Sequence, residues 1–286
     1  MNVLSLFDGI SCGMVALERA GIPVERYVAY EIDKNAIKVS KRNYPAIERC
    51  GDVTHADFTQ YKGFDLLIGG SPCQDLCSMG SHKGLAGEKS KLFFEFVRAL
   101  KEVQPRYFLL ENNASMSKEN RDIISSYMGC EPVLINSADF SAQVRKRLYW
   151  TNITIAEYEP KNTKLKDIMQ KDVLRECVTD KINKYVVSGN YLGRKIEKTI
   201  RNAIRTGVQK SCSITTASYN LGSNNGICIQ IGDGYFNPTQ IEFERLQTLP
   251  DGYTSVLPIK KAVFAIGNAW TVDVIAHIFR GLTTQI

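Results

Sequence analysis

The chain has 286 residues, 44% of them hydrophobic, and a formal net charge of +6. That length supports one large core with a small accessory domain, and no apolar run in it reads as long enough to span a bilayer. Eight cysteines form no CxxC pair and three histidines (His55, His82, His277) are scattered, so no metal site is supported and the setting reads as reducing and cytoplasmic.

The N-terminus lacks a basic leader region and reads as a first strand, Val3–Phe7. Further strands are expected at Tyr27–Glu31, Asp65–Gly69, Tyr107–Glu111, Pro132–Asn136 and Leu148–Thr151. Helices are expected between them at Cys12–Ala20, Lys34–Asn43, Leu92–Val103 and Lys118–Tyr127. This alternation predicts an α/β fold with a mostly parallel sheet over residues 1–155. Residues 156–235 lose the rhythm and predict a small, irregular, partly β domain. Residues 236–286 return to helix, around 238–250 and at Val272–Arg280, and are expected to complete the first domain.

Charge is concentrated rather than spread. Residues 161–210 hold 13 Lys or Arg against 5 Asp or Glu, a local balance of +8 that exceeds the net charge of the whole chain. A basic region flanked by a slightly acidic remainder fits an element that contacts phosphates, with Arg201 and Arg205 as candidates. A solvated basic face is the bland alternative.

Chemistry-bearing residues fall at the expected carboxyl ends of strands, where ligands of such sheets sit. Phe7-Asp8-Gly9-Ile10-Ser11-Cys12-Gly13 follows the first strand; its glycines let a loop pass close to a ligand. Glu31 and Ile32 end the second strand, where a carboxylate can take both hydroxyls of a ribose. Asp52 and Val53 follow, with Asp52 placed to accept from an adenine amino group. No GxGxxG is present, so a nucleoside cofactor such as S-adenosylmethionine is favoured over a dinucleotide. Pro72 stiffens the chain entering Cys73, and Glu111 closes the next strand. A thiolate beside a carboxyl group can attack a ring carbon and protonate the ring.

The order of these motifs resembles the cytosine-5 DNA methyltransferase family over nearly the whole chain. The matching residues are Phe7–Gly13, Glu31, Asp52, Pro72-Cys73-Gln74, Glu111-Asn112, Gln143-Val144-Arg145-Lys146-Arg147, Glu242 with Arg245-Leu246-Gln247, and Gly267-Asn268-Ala269-Trp270. The stretches Gly69–Cys73 and Lys91–Phe96 are closest to the family's de novo branch. The resemblance implies an S-adenosylmethionine-dependent methyltransferase, with a Rossmann-like sheet and a small target-recognition domain. It implies a nucleophile at Cys73, a ring-protonating Glu111 in a dry pocket, Arg147 on the base oxygen and on Glu111, and Arg145 on the target phosphate. It places Leu92, Asn268 and Trp270 at the cofactor. Gln74, Ser78 and Lys83 fall at DNA, in a loop of residues 74–90 hinged at Gly80, Gly84 and Gly87. The target base has to be flipped out of the duplex. Partners implied are double-stranded DNA and, in a restriction-modification setting, a cognate restriction endonuclease. The chain departs from the family pattern at Asn113, where valine is usual, and at Cys77, where serine or threonine is common.

Three alternatives differ in class. A transfer-RNA methyltransferase is expected to carry a Cys-Phe-Thr tripeptide, which is absent here. An inactive binding module is expected to have lost Cys73 or Glu111, and a dehydrogenase needs the dinucleotide loop.

Overall fold

The computed structural model describes residues 1–71, 91–180, 182, 190–191, 194–195, 204–220 and 226–283. Pro72, Cys73, Gln74, Cys77, Ser78, Lys83, Arg201 and the hinge glycines lie outside the described residues.

The chain forms two compact units. The first comprises Met1–Ile135, Lys146–Glu157 and Val274–Ile286; the second comprises Asn136–Arg145 and Tyr158–Asp273. Residues 236–273 fall in the second unit, and the chain from Val274 onward falls in the first.

The first unit is built on a seven-stranded sheet in the order β3-β2-β1-β4-β5-β7-β6. Its strands are β1 (Asn2–Leu6), β2 (Arg26–Tyr30), β3 (Glu48–Gly51), β4 (Leu66–Gly70), β5 (Tyr107–Asn113), β6 (Val133–Asn136) and β7 (Lys146–Thr151). β1 pairs in parallel with both β2 and β4, β4 pairs in parallel with β5, and β7 runs antiparallel to β5. The order reverses between β1 and β4, and a ligand crevice opens at the carboxyl ends beside such a switch. The strands are apolar runs because both faces of a doubly wound sheet are covered. Helices α1 (Cys12–Arg19), α2 (Lys34–Asn43), α3 (Lys91–Val103) and α4 (Lys118–Met128) alternate with them. Leu4, Leu6, Leu67, Phe93, Phe96, Leu110 and Trp150 are fully buried in one core cluster. β3 was not visible in the sequence pattern, since Glu-Arg-Cys-Gly has no apolar alternation and pairs only at the sheet edge.

The second unit carries α5 (Leu165–Ile168), two short sheets, α6 (Gln240–Leu246) and α7 (Ile259–Asn268). One sheet pairs β8 (Asn190–Tyr191) with β9 (Arg194–Lys195). The other orders β10 (Ile204–Thr206), β11 (Cys228–Ile231) and β12 (Gly234–Phe236). α6 starts at a capping box: Thr239 accepts from the Glu242 N–H while Glu242 accepts from the Thr239 N–H. Buried Glu242 also pairs with Arg175, and Gln247 donates to the carbonyls of Ile266 and Ala269 at 3.1 Å each. These bonds hold residues 236–273 within the second unit.

α8 (Val272–Thr283) follows α7 after a short break. The stretch Ile259–Thr283 meets the length and hydropathy of a bilayer span by composition only. Most of its most apolar 18-residue window is buried in the protein, and the stretch is interrupted at Ala269–Thr271.

A β-carbon on Gly267 meets the Thr215 carbonyl carbon at 2.3 Å and the Thr216 nitrogen at 2.5 Å, so two backbones touch there. Gly267→Ala is therefore expected to cost about 1–3 kcal/mol by forced separation of the segments. That corresponds to a fall in Tm of roughly 2–4 °C per kcal/mol, read by thermal denaturation. An unchanged Tm would show that the segments yield freely.

Candidate functional site

The loop after β1 is the first part of the site. Phe7, Gly9 and Ser11 have φ of 58°, 59° and 62°, three left-handed residues in five positions. Such a path is costly for non-glycine residues and needs support. Asp8 supplies it. Its carboxylate accepts from Ser5 Oγ at 2.7 Å, Ser11 Oγ at 2.5 Å and Tyr27 Oη at 2.7 Å. Burial pushes the Asp8 carboxyl up from its ordinary range, and the three hydroxyl bonds pull it back. Ser11 extends the network to Ser40 Oγ at 2.6 Å, where Arg49 also donates. Asp8 was expected at the cofactor. In the structure its side chain turns inward and holds the loop, because three local hydroxyls surround it.

Glu31 faces the same loop. Its Oε2 accepts from the Gly9 N–H at 2.7 Å, and its Oε1 accepts from Ile32 and Asp33 N–H groups at 2.8 Å each. Burial pushes its carboxyl up, against those three backbone bonds. A β-carbon added to Gly9 meets nothing within 4 Å, so open space lies beside this carboxylate. Ile32 is 68% exposed, an apolar surface next to Glu31 on which a planar base can lie. Asp52 Oδ1 accepts from the Thr54 N–H and hydroxyl at 2.9 Å each, which holds its carboxyl below the usual range. Cys12, Gly13 and Val53 are buried, and partly buried Phe7 and Leu92 pack on the core cluster. An acid for ribose, an apolar flank and a second acid at the next strand end fit a nucleoside-type cofactor. Asn268 and Trp270 lie in the second unit, Asn268 exposed and Trp270 half-buried.

The second part lies at the ends of β4 and β5. Gly70 is the register partner of Glu111. Glu111 is 9% exposed, and its Oε1 lies 2.9 Å from Arg147 Nε. Arg147 is fixed in turn by donating Nη1 to the Lys146 carbonyl at 2.8 Å. Asn112, on the opposite face of β5, donates to Ser71 Oγ at 3.1 Å and to the Ser71 carbonyl at 3.4 Å. Ser71 is thereby tied down one residue before Pro72. Asn113 closes the strand by accepting from the Ser115 N–H at 3.1 Å, so this departure from the family pattern makes a local turn.

Arg145 departs from expectation. It is 5% exposed and precedes β7, in the second unit. Its guanidinium donates to Ser213 Oγ and to the carbonyls of Ile214, Gly267 and Ala269, all within the second unit, at 2.7–3.3 Å. Gln143 is also buried, donating to the Leu246 carbonyl and Gln247 Oε1 and accepting from the Ile214 N–H. The motif from Gln143 to Arg147 thus mixes framework and site residues, which its spacing could not separate.

The basic region is also less free than its count suggests. Arg175 is held by Glu242, and Lys210 Nζ donates to the carbonyls of Ser141 and Thr163 at 3.0 and 2.6 Å. Burial holds the Lys210 ammonium below its ordinary range. Arg205, half-buried on β10, donates to the Ile204 carbonyl. Ser218 is fully buried and accepts from the Thr215 N–H. Among the described residues no group of three or more potential metal-binding side chains occurs.

Comparison with known proteins places this geometry. Residues 1–284 match the family of C-5 cytosine-specific DNA methylases. An orphan methyltransferase of Bacillus phage SPR, M.SPRI, is 34% identical over 189 residues, covering 62% of this chain and 43% of that protein. A type II methyltransferase of Fusobacterium nucleatum, M.FnuDI, is 33% identical over 173 residues, covering 56% of this chain and 50% of that one. The chain spans half or less of the length of the curated relatives it matches. The fold is similar to that of the methyltransferase EhMeth of Entamoeba histolytica, with a TM-score of 0.81 at 16% identity over 100% of this chain and 98% of that one.

Proposed function

The chain belongs to the C-5 cytosine-specific DNA methylase family, and from that premise we propose that it methylates carbon 5 of a flipped cytosine in double-stranded DNA. The observation that carries the proposal is the Glu111–Arg147 pair beside Gly70, with Cys73 three residues further along. Three residues of extended chain cover at most about 11 Å, which bounds how far Cys73 can stand from Gly70.

The division of labour follows from residue chemistry. The Cys73 thiolate adds to ring carbon 6, breaking the 5,6 double bond and driving its electron pair toward carbon 5. Glu111 holds a proton at ring nitrogen 3, which offsets the negative charge that addition places on the ring. Arg147 holds Glu111 in position and directs a donor toward the base oxygen. S-adenosylmethionine supplies the methyl group that carbon 5 takes. Water then removes the carbon 5 hydrogen, the carbon–sulfur bond breaks, and the nitrogen 3 proton returns to Glu111.

Glu31, Ile32, Asp52 and the loop Phe7–Gly13 hold S-adenosylmethionine on this reading. Glu31→Ala removes a charged acceptor and also frees the Gly9 N–H that steadies the loop. Its dissociation constant for S-adenosylmethionine is expected to rise roughly 10-fold or more, by isothermal titration, since bonds to charged groups are worth about 1.5–3 kcal/mol. Asp52→Ala, exposed, is expected to shift it less. Unchanged affinity in both variants would remove the nucleoside assignment.

The activity test is transfer of tritiated methyl groups to genomic DNA and, separately, to transfer RNA, followed by bisulfite sequencing. Label in DNA at one sequence context is the expected result. Label in transfer RNA alone overturns the substrate assignment. A cognate restriction endonuclease belongs to the same proposal, and it is tested by whether the methylated context resists cleavage by nucleases of the same genome.

A further inference from the structure

A cavity of about 450 Å³ in the first unit lies outside the residues assigned above. Its lining includes Lys118, Arg121 and Lys146, opposed by one carboxylate, Glu131. Lys118 opens α4 and Arg121 follows at a spacing of three, so both fall on one helix face. Lys146 opens β7. Arg121 Nε is buried without a hydrogen-bond partner, and its ion-pair neighbour, Asp122 Oδ1, is 3.6 Å away. Met116 and Leu134 line the same cavity, and Leu134 is 55% exposed.

The position of this pocket gives it a ligand. Asn113 at the end of β5 is the register partner of Arg147. Lys146 therefore stands at the same sheet edge as the Glu111–Arg147 pair. Alternation turns its side chain to the opposite face from Arg147, together with Leu148. Lys146, with Lys118 and Arg121 across the cavity, makes a positive group beside that edge.

We infer that this pocket seats the sugar–phosphate backbone of the DNA strand that carries the target base, to one side of that base. The three cations take phosphate oxygens, and Met116 and Leu134 cover the deoxyribose. The inference rests on the DNA reading above. It adds Lys118, Arg121 and Lys146 to the residues that position the substrate.

The test uses the full chain and a fluorescein-labelled mixed-sequence duplex, with anisotropy titrations at several salt concentrations. Each neutralised phosphate contributes about 0.9 to the slope of log K against log salt. The triple variant Lys118→Gln, Arg121→Gln, Lys146→Gln is expected to flatten that slope by roughly 2–3 and to weaken binding at least about 10-fold at low salt. Lys146→Gln alone, at an exposed side chain, is expected to flatten it by about 1. Titration with S-adenosylmethionine is expected to be unchanged in both. Wild-type slopes in the triple variant, or a wild-type slope in Lys146→Gln alongside lost cofactor binding in the triple, overturn the inference. A wild-type chain that neither binds the duplex nor methylates DNA overturns the DNA reading itself, and the inference falls with it.

Discussion

Replacing Cys73 by serine is expected to lower methyl transfer on the order of 10⁴-fold or more while leaving S-adenosylmethionine binding intact. Serine keeps nearly the same size, but its hydroxyl is not ionised near neutral pH, so the addition to carbon 6 loses its nucleophile. The anchor for the thiol is independent of it: Asn112 holds Ser71, and β4 stays in register with β5. Thermal stability and the cofactor titration should therefore match the wild-type chain. Tritium transfer to DNA at wild-type rate in this variant would sink the covalent mechanism. Equal loss of cofactor affinity would instead point to damage at the β4 end.

The second large effect belongs to Glu111→Gln, expected to slow single-turnover methyl transfer roughly 10²–10⁴-fold with little change in DNA affinity. The amide keeps the shape of the carboxyl group and can still bond the exocyclic amine, but it cannot carry the same proton to nitrogen 3. It also leaves Arg147 without its anion in a largely buried setting. Breaking a buried pair by removing one partner costs about 3–5 kcal/mol, so some loss of stability is expected too. Arg147→Gln separates the two effects. It removes the same pair but spares the proton donor, so its rate loss should be smaller at a similar fall in Tm. Equal rate losses in the two variants would make Glu111 a structural anion rather than the proton carrier.

Local chemistry was readable directly from the residues. The apolar runs of β1, β2, β4 and β5 announce buried parallel strands, and acidic residues at their ends announce a site, because both signals depend on neighbours within a few positions. Asp33 capping α2 through the N–H groups of Asn35 and Ala36 is of the same kind. Side-chain direction was not readable. Asp8 and Arg145 occupy motif positions that suggest contact with ligands, yet both turn inward. Asp8 turns toward Tyr27, nineteen positions away in sequence. Arg145 turns to carbonyls as far as Ala269, 124 positions away.

Composition, hydrophobic rhythm and motif order were enough to determine an α/β chain with a thiol, a carboxyl group and a glycine-containing loop at the expected strand ends, since each is written in short stretches. Tertiary structure alone decided which charges are free to act. It spends Arg145, Arg175 and Lys210 on buried partners, gives Glu111 to Arg147, and gathers Lys118, Arg121 and Lys146 at one cavity. The physical reason is desolvation: a buried charge has to find a partner wherever the fold brings one, and those partners are distant in sequence.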